Sequence, residues 1–149
     1  MRTPDLEPDL GADVRDVPDD FGPTGCHDPR VTLTVLIVDD HAGFRHFARG
    51  LLEATGLSVI GEAEDGQSAL EAVAALRPGV VLLDVMLPDL DGFAVADRLA
   101  ALAEPPAVVL TSSRDPRDYG ERLSRSVACG FIRKDDLTGA ALERLVAAG

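Results

Sequence analysis

A chain of 149 residues with 46% hydrophobic content has the size and apolar share of one folded domain and leaves no comfortable room for a second. Its formal net charge of −12 argues against direct binding to nucleic acid, because affinity for a polyphosphate comes mainly from lysine and arginine. No apolar stretch approaches the ~20 residues needed to span a bilayer, and no basic-then-apolar leader opens the chain, so the expected location is cytoplasmic, away from membranes.

Residues 1–30 hold five of the ten prolines and eight acidic residues without apolar periodicity. Such a segment cannot bury enough surface to offset its ordering entropy, so a disordered acidic tail is expected there, with the folded domain over 31–149. Cys26 and Cys129 match no metal spacing and form no disulfide framework, which suits a reducing compartment. Cys129 is expected as a small buried residue. His27, beside Cys26, has no further ligand at usable spacing.

Beyond the tail, short apolar runs alternate with helical patterns, the arrangement of βα units around a parallel sheet. A strand is expected near 33–38, then a helix near 43–55 with Phe44, Phe47, Leu51 and Leu52 on one face and Gly56 as its cap. A second strand near 58–62 leads through Asp65-Gly66 to a helix near 67–76, closed by Arg77-Pro78. The third strand covers 80–83. A helix carrying Val95, Leu99 and Leu102 follows and stops at Pro105-Pro106. The fourth strand, 107–110, precedes a helix over about 116–127 that holds Gly120, many charges and few apolar anchors, and so should be the least firmly held. The fifth strand, 131–133, and a helix near 137–147 with Leu142, Leu145 and Val146 complete an α/β, flavodoxin-like (βα)5 doubly wound parallel sheet of expected order 2-1-3-4-5.

Ligands of open α/β sheets bind beyond the carboxyl ends of the strands. Asp39 and Asp40 end the first apolar run, Asp84 the third, Thr111 the fourth, and Lys134 the fifth. These groups therefore converge on one rim, with Asp39-Asp40 and Asp84 at the switch point between strands one and three. Three carboxylates so close repel unless a cation neutralises them, and a hard divalent ion is the natural remedy. Carboxylates, a hydroxyl and an ammonium together suit phosphoryl transfer with a metal cage. Lys134 is the single lysine beside thirteen arginines, and a compact ammonium serves a phosphate as a point charge.

The set Asp39-Asp40, Asp84 with Leu87-Pro88-Asp89-Leu90-Asp91-Gly92, Thr111, and Phe131 with Lys134 resembles the receiver domain of bacterial two-component response regulators over about residues 33–148. The resemblance implies that Asp84 is the phosphoacceptor and that Mg2+ is held directly by Asp40 and Asp84. Asp39 would then act mainly through water, and the backbone carbonyl of Met86 would add a ligand. It implies that Thr111 and Lys134 hold phosphoryl oxygens and that Thr111 and Phe131 form a switch. Its partners would be a histidine kinase or histidine phosphotransfer protein and an output protein, and it admits a phosphorylation-dependent homodimer. Such a domain is a phosphoacceptor assisting its own phosphorylation and dephosphorylation rather than an enzyme for a separate substrate.

Asp135-Asp136-Leu137 replaces the proline that many receivers carry after the lysine, which is similar to receivers attached to LuxR-type helix-turn-helix outputs. The sequence ends at Gly149, so a stand-alone receiver is expected, with two alternatives. These are a transcriptional regulator's receiver lacking its output domain and a phosphorylation-independent pseudo-receiver. Residue by residue, plainer roles also exist: a loop cap for Asp84, a surface lysine for Lys134, a strand-end hydroxyl bonded to backbone for Thr111, a core phenylalanine for Phe131.

Overall fold

Side chains alternate across a strand, so an unbroken apolar run is stable only where both faces of the sheet are covered. The computed structural model, which describes residues 33–148, has that arrangement. Strands β1 (Thr34–Val38), β2 (Ser58–Ala63), β3 (Val80–Asp84), β4 (Ala107–Ser112) and β5 (Gly130–Arg133) pair in parallel in the order β2-β1-β3-β4-β5. Between and after them run α1 (Ala42–Ala54), α2 (Gly66–Leu76), α3 (Gly92–Ala100), α4 (Glu121–Ser124) and α5 (Gly139–Ala148). Leu36 and Val38 of β1 and Val81 and Leu83 of β3 pack with Ala69 and Val73 of α2 and Val95 and Leu99 of α3. Their neighbours Val35, Ile37, Val80 and Leu82 face the other way, against Ala48 and Leu52 of α1 and Leu142 of α5. Each fully buried leucine or valine here contributes about 2 kcal/mol relative to an exposed one.

The register makes the rim: Asp84 pairs with Thr111 across β3 and β4, and Val38 with Leu83 across β1 and β3. The residues that follow Val38 and end β3 thus emerge side by side. The chain leaves α1 through Thr55 and Gly56, whose φ of 93° lies in the left-handed region that glycine tolerates best. The tail expected over 1–30, with Cys26 and His27, lies outside the described residues.

Four local expectations need correction. In place of one helix over 116–127, the chain makes a 3-10 turn at Pro116–Asp118 and the four-residue α4. Gly120, at φ 56° and ψ −130°, breaks the helical path between them, and neither piece has a buried residue to hold it. Phe47 is 55% exposed, because the buried stripe of α1 runs through Ala48 and Leu52 and leaves Phe47 at its edge. Leu102 lies past the end of α3 and is exposed, since the helix closes at Ala100 before Pro105-Pro106 is reached. Cys129 is only half-buried, because it leads into the edge strand of the sheet.

Candidate functional site at the carboxyl ends of the strands

The turn after β1 is fixed from its backbone outward. The Asp39 N–H donates to the Ala63 carbonyl (3.0 Å), and Arg45 Nη1 donates to the Asp39 carbonyl (2.6 Å). Arg45 is itself held by Glu62, with Nε donating to Oε1 at 3.0 Å. The Asp39 carboxylate is fully buried, and its Oδ1 accepts the His41 backbone N–H at 2.8 Å, closing an Asx-type turn. Asp40 and His41 follow at the surface.

Asp84 ends the central strand β3 and is 2% exposed. Its Oδ1 accepts the Met86 N–H (3.1 Å) while the Val85 N–H donates to the Thr111 carbonyl (2.9 Å), so the chain leaves the strand in a defined direction. Gly92 returns against this turn, its N–H on the Val85 carbonyl at 2.7 Å, so closely that an added Cβ would stand 2.5 Å from the Asp84 carbonyl oxygen. The intervening loop is tied to its neighbours by charge. Asp89 accepts the Gly66 and Gln67 N–H groups (2.7 and 2.9 Å), and these amides at the start of α2 lower its pKa. Asp91 caps α3 through the Ala94 N–H (2.9 Å) and ion-pairs with Arg122 of α4.

Lys134 opens a 3-10 turn after β5 and reaches back into the rim. Its Nζ lies 2.6 Å from Asp39 Oδ2, in an ion pair that lacks hydrogen-bond angles, and hydrogen-bonds Asp84 Oδ2 at 3.3 Å. The ammonium also stands 4.7 Å from the centre of the Phe44 ring. Burial works against the charge on Lys134, but the Asp39 and Asp84 carboxylates outweigh it and its pKa is raised. A lysine so enclosed is not a free surface lysine. Thr111 is 1% exposed and its Oγ1 has no hydrogen-bond partner, so the backbone-satisfying role is not the one it plays. Phe131 is half-buried, packed beside the core rather than inside it.

Asp84 is shifted in the same direction, which for a carboxylate disfavours the charged form. Burial raises its pKa first, the Asp39 charge adds to this, and the Met86 N–H and Lys134 only partly oppose them. Three carboxylates against one ammonium leave two negative charges when all are ionised, which is the charge a divalent cation brings. Asp39, Asp40, His41 and Asp84 each offer a ligand atom, and these atoms lie within 4.8 Å of one another. The oxygen donors suit magnesium, and three carboxylates hold more acceptors than the one ammonium among them can serve. Met86 follows with an exposed side chain.

Two residues at the site went unnoticed in the sequence. His41 places Nδ1 3.1 Å from Asp39 Oδ1 and 3.2 Å from Asp40 Oδ1. Tyr119, from the segment misread as one helix, hydrogen-bonds its hydroxyl to Ser112 Oγ (2.5 Å), next to Thr111. Its ring stands between Phe93 (5.8 Å, edge-on) and Phe131 (6.0 Å). The one available hint was its singularity, since it is the only tyrosine in a chain without tryptophan.

An open parallel sheet with a carboxylate cluster at its switch point, and a lysine from beyond β5 reaching into it, defines a doubly wound α/β protein. Residues 35–146 match the family model of the response regulator receiver domain, and the chain belongs to that family, the receivers of two-component systems. The signal receiver domain of a response regulator called NarL from Mycobacterium tuberculosis is 35% identical, with a TM-score of 0.67 over 76% of this chain and 96% of that one. The transcriptional regulatory protein PdtaR of the same species is 36% identical over 113 residues, 76% of this chain and 55% of that protein. A protein-glutamate methylesterase/protein-glutamine glutaminase of Geobacter metallireducens is 39% identical over 101 residues, 67% of this chain and 29% of that one. The chain spans about half the length of the first curated relatives it matches.

Proposed function

We propose that this receiver accepts a phosphoryl group on Asp84 from the phosphohistidine of a histidine kinase or histidine phosphotransfer protein. The observation that supports this reading most is the position of Asp84. It is a buried carboxylate with a raised pKa, held by Lys134 and the Met86 N–H at the switch point of the sheet. An Asp84 carboxylate oxygen would attack phosphorus as the phosphorus–nitrogen bond breaks, leaving an acyl phosphate on the protein and, with the donor's other ring nitrogen protonated beforehand, a neutral imidazole on the donor. Lys134 would meet one oxygen of the incoming group. The unpartnered Thr111 Oγ1 would donate to another, gaining the hydrogen bond it lacks. Asp39, Asp40, Asp84 and the Met86 carbonyl would hold Mg2+, which when bound offsets the negative charge of the transferring group.

Movement of Thr111 toward the phosphoryl group would loosen the packing around Phe131 and Tyr119, and so carry the change to the α4 side of the domain. The unpaired hydroxyl and the enclosed lysine favour this reading over that of a pseudo-receiver. Incubation with a small phosphodonor and magnesium, followed by intact mass, tests the proposal. One phosphate is expected on the wild type and none on Asp84→Asn, whose amide keeps the shape without the nucleophile. Equal labelling of both would move the site elsewhere.

A further inference from the structure

The loop after β3 is held at its base and again at its far side. At the base the Gly92 N–H donates to the Val85 carbonyl (2.7 Å). At the far side the exposed Asp89 accepts three backbone N–H groups, those of Gly66 (2.7 Å) and Leu90 (2.8 Å) on Oδ1 and that of Gln67 (2.9 Å) on Oδ2. Gly66 and Gln67 open α2, which Asp65 already caps through the Ser68 N–H. Asp89 is thus a second carboxylate at that helix start, brought from a different βα unit, and such charge-assisted bonds to unpaired helical amides are stronger than neutral ones. The backbones also meet closely, since a Cβ added to Gly66 would stand 2.9 Å from Leu90 Cβ.

Met86, Leu87 and Pro88 lie between these two attachments. Magnesium tolerates little departure from octahedral geometry, and a main-chain ligand can be aimed only by fixing the chain that carries it. We propose that Asp89 is a positioning residue for the metal: by anchoring the loop to α2 it holds the Met86 carbonyl in place, so that the Mg2+ site and the start of α2 are energetically coupled. The inference rests on the reading of Asp39, Asp40, Asp84 and the Met86 carbonyl as the Mg2+ cage, and adds to it a residue outside the cage. Coupling of this kind is reciprocal, so bound Mg2+ must in turn tighten the anchor.

Calorimetric titration of the whole chain with Mg2+, for wild type, Asp89→Ala, Asp89→Asn and Asp91→Ala, tests it, with amide hydrogen exchange followed in parallel. Asp91 caps α3 from the same loop, so Asp91→Ala removes an equal charge and loosens a helix start while leaving the anchor to α2 intact. Asp89→Ala is expected to bind Mg2+ about tenfold more weakly than wild type. Asp89→Asn should fall between them, because its amide oxygen can still accept, and Asp91→Ala should stay near the wild type. Saturating Mg2+ should slow exchange of the Gly66 and Gln67 amides in the wild type and leave it unchanged in Asp89→Ala. Wild-type Mg2+ affinity in Asp89→Ala would overturn the proposal, and so would equal weakening by Asp89→Ala and Asp91→Ala, since the loss would then be one of charge or general loosening. If the alanine variant does not fold, Asp89→Asn set against Asp91→Ala decides in the same way. A wild type that binds no Mg2+ would instead sink the cage itself, and the proposal with it.

Discussion

Lys134 Nζ stands closer to Asp39 Oδ2 (2.6 Å) than to Asp84 Oδ2 (3.3 Å). The proposed phosphoacceptor therefore does not own the lysine. One ammonium links the ends of β1, β3 and the chain after β5, and any group added to Asp84 enters a pair that already exists.

Lys134→Arg conserves charge, yet it should impair the coupling between phosphorylation and the rest of the domain. A planar guanidinium is bulkier and favours forked contacts, so it cannot sit as a point charge between Asp39 and Asp84 beneath the Phe44 ring. Labelling of Asp84 should persist, while phosphate-dependent NMR shift changes over residues 111–134 shrink. A full wild-type pattern of shifts in the mutant would remove Lys134 from the coupling.

The two neighbouring aspartates should separate by property. Asp39 is buried against Lys134 and accepts the His41 N–H, so Asp39→Ala removes the ammonium's nearer partner and a turn hydrogen bond and should destabilise the fold by about 3 kcal/mol. Asp40 makes no such contact, and Asp40→Ala should change stability by less than about 0.5 kcal/mol. For magnesium affinity the order is expected to reverse, with Asp40→Ala the weaker binder. Chemical denaturation with and without magnesium reads both effects, and a greater loss of affinity in Asp39→Ala would exchange their proposed places around the ion.

The raised pKa of Asp84 sets a pH dependence in magnesium-free buffer. The folded protein holds the Asp84 proton to higher pH than the unfolded chain, which releases it near its ordinary value. Between those two values the folded state binds more protons, so this group makes stability fall as pH rises through the window and leaves its full penalty above it. Asp84→Asn should therefore raise the thermal midpoint at pH 7 by a few degrees, roughly 4 °C for each kcal/mol gained. The gain should vanish on acidification below the ordinary carboxylate range. A mutant that melts at or below the wild type at pH 7 would mean that Lys134 and the Met86 N–H outweigh burial.

Tyr119 gives the domain an internal reporter, because it is the only tyrosine and no tryptophan is present. Its hydroxyl is bonded to Ser112 and its ring touches Phe93 and Phe131, so displacement of Thr111 or Phe131 should change its emission when Asp84 is phosphorylated. Tyr119→Phe should cost about 1 kcal/mol for the lost hydrogen bond. It should also loosen α4, seen as faster amide exchange over 119–125. An emission unaltered by phosphorylation would confine the switch to residues short of Tyr119.

Strand positions and the rim were legible in the sequence because each rests on a local property. Runs such as Val80-Val81-Leu82-Leu83 announce burial on both faces, and a charged or hydroxyl residue closing such a run must lie at its end. Gly120 was visible too, but its effect on residues 116–127 depended on how little core lay beneath them, which the helical pattern did not reveal. Phe47 failed for a related reason: the pattern marks a face, and the sheet decides how wide a strip of it is covered.

By itself the sequence determined five apolar strands, their alternation with helices, and which polar side chains end the strands. It could do so because apolar spacing and strand length follow from the chemistry of neighbouring residues. Which of those side chains touch was left to the tertiary structure. That Lys134 meets Asp39 before Asp84, that His41 folds back over two carboxylates, and that Tyr119 bonds Ser112 are distances set by strand register and helix placement. Charge pairing falls off over a few ångströms, and only the packed sheet brings groups from separate βα units within that range.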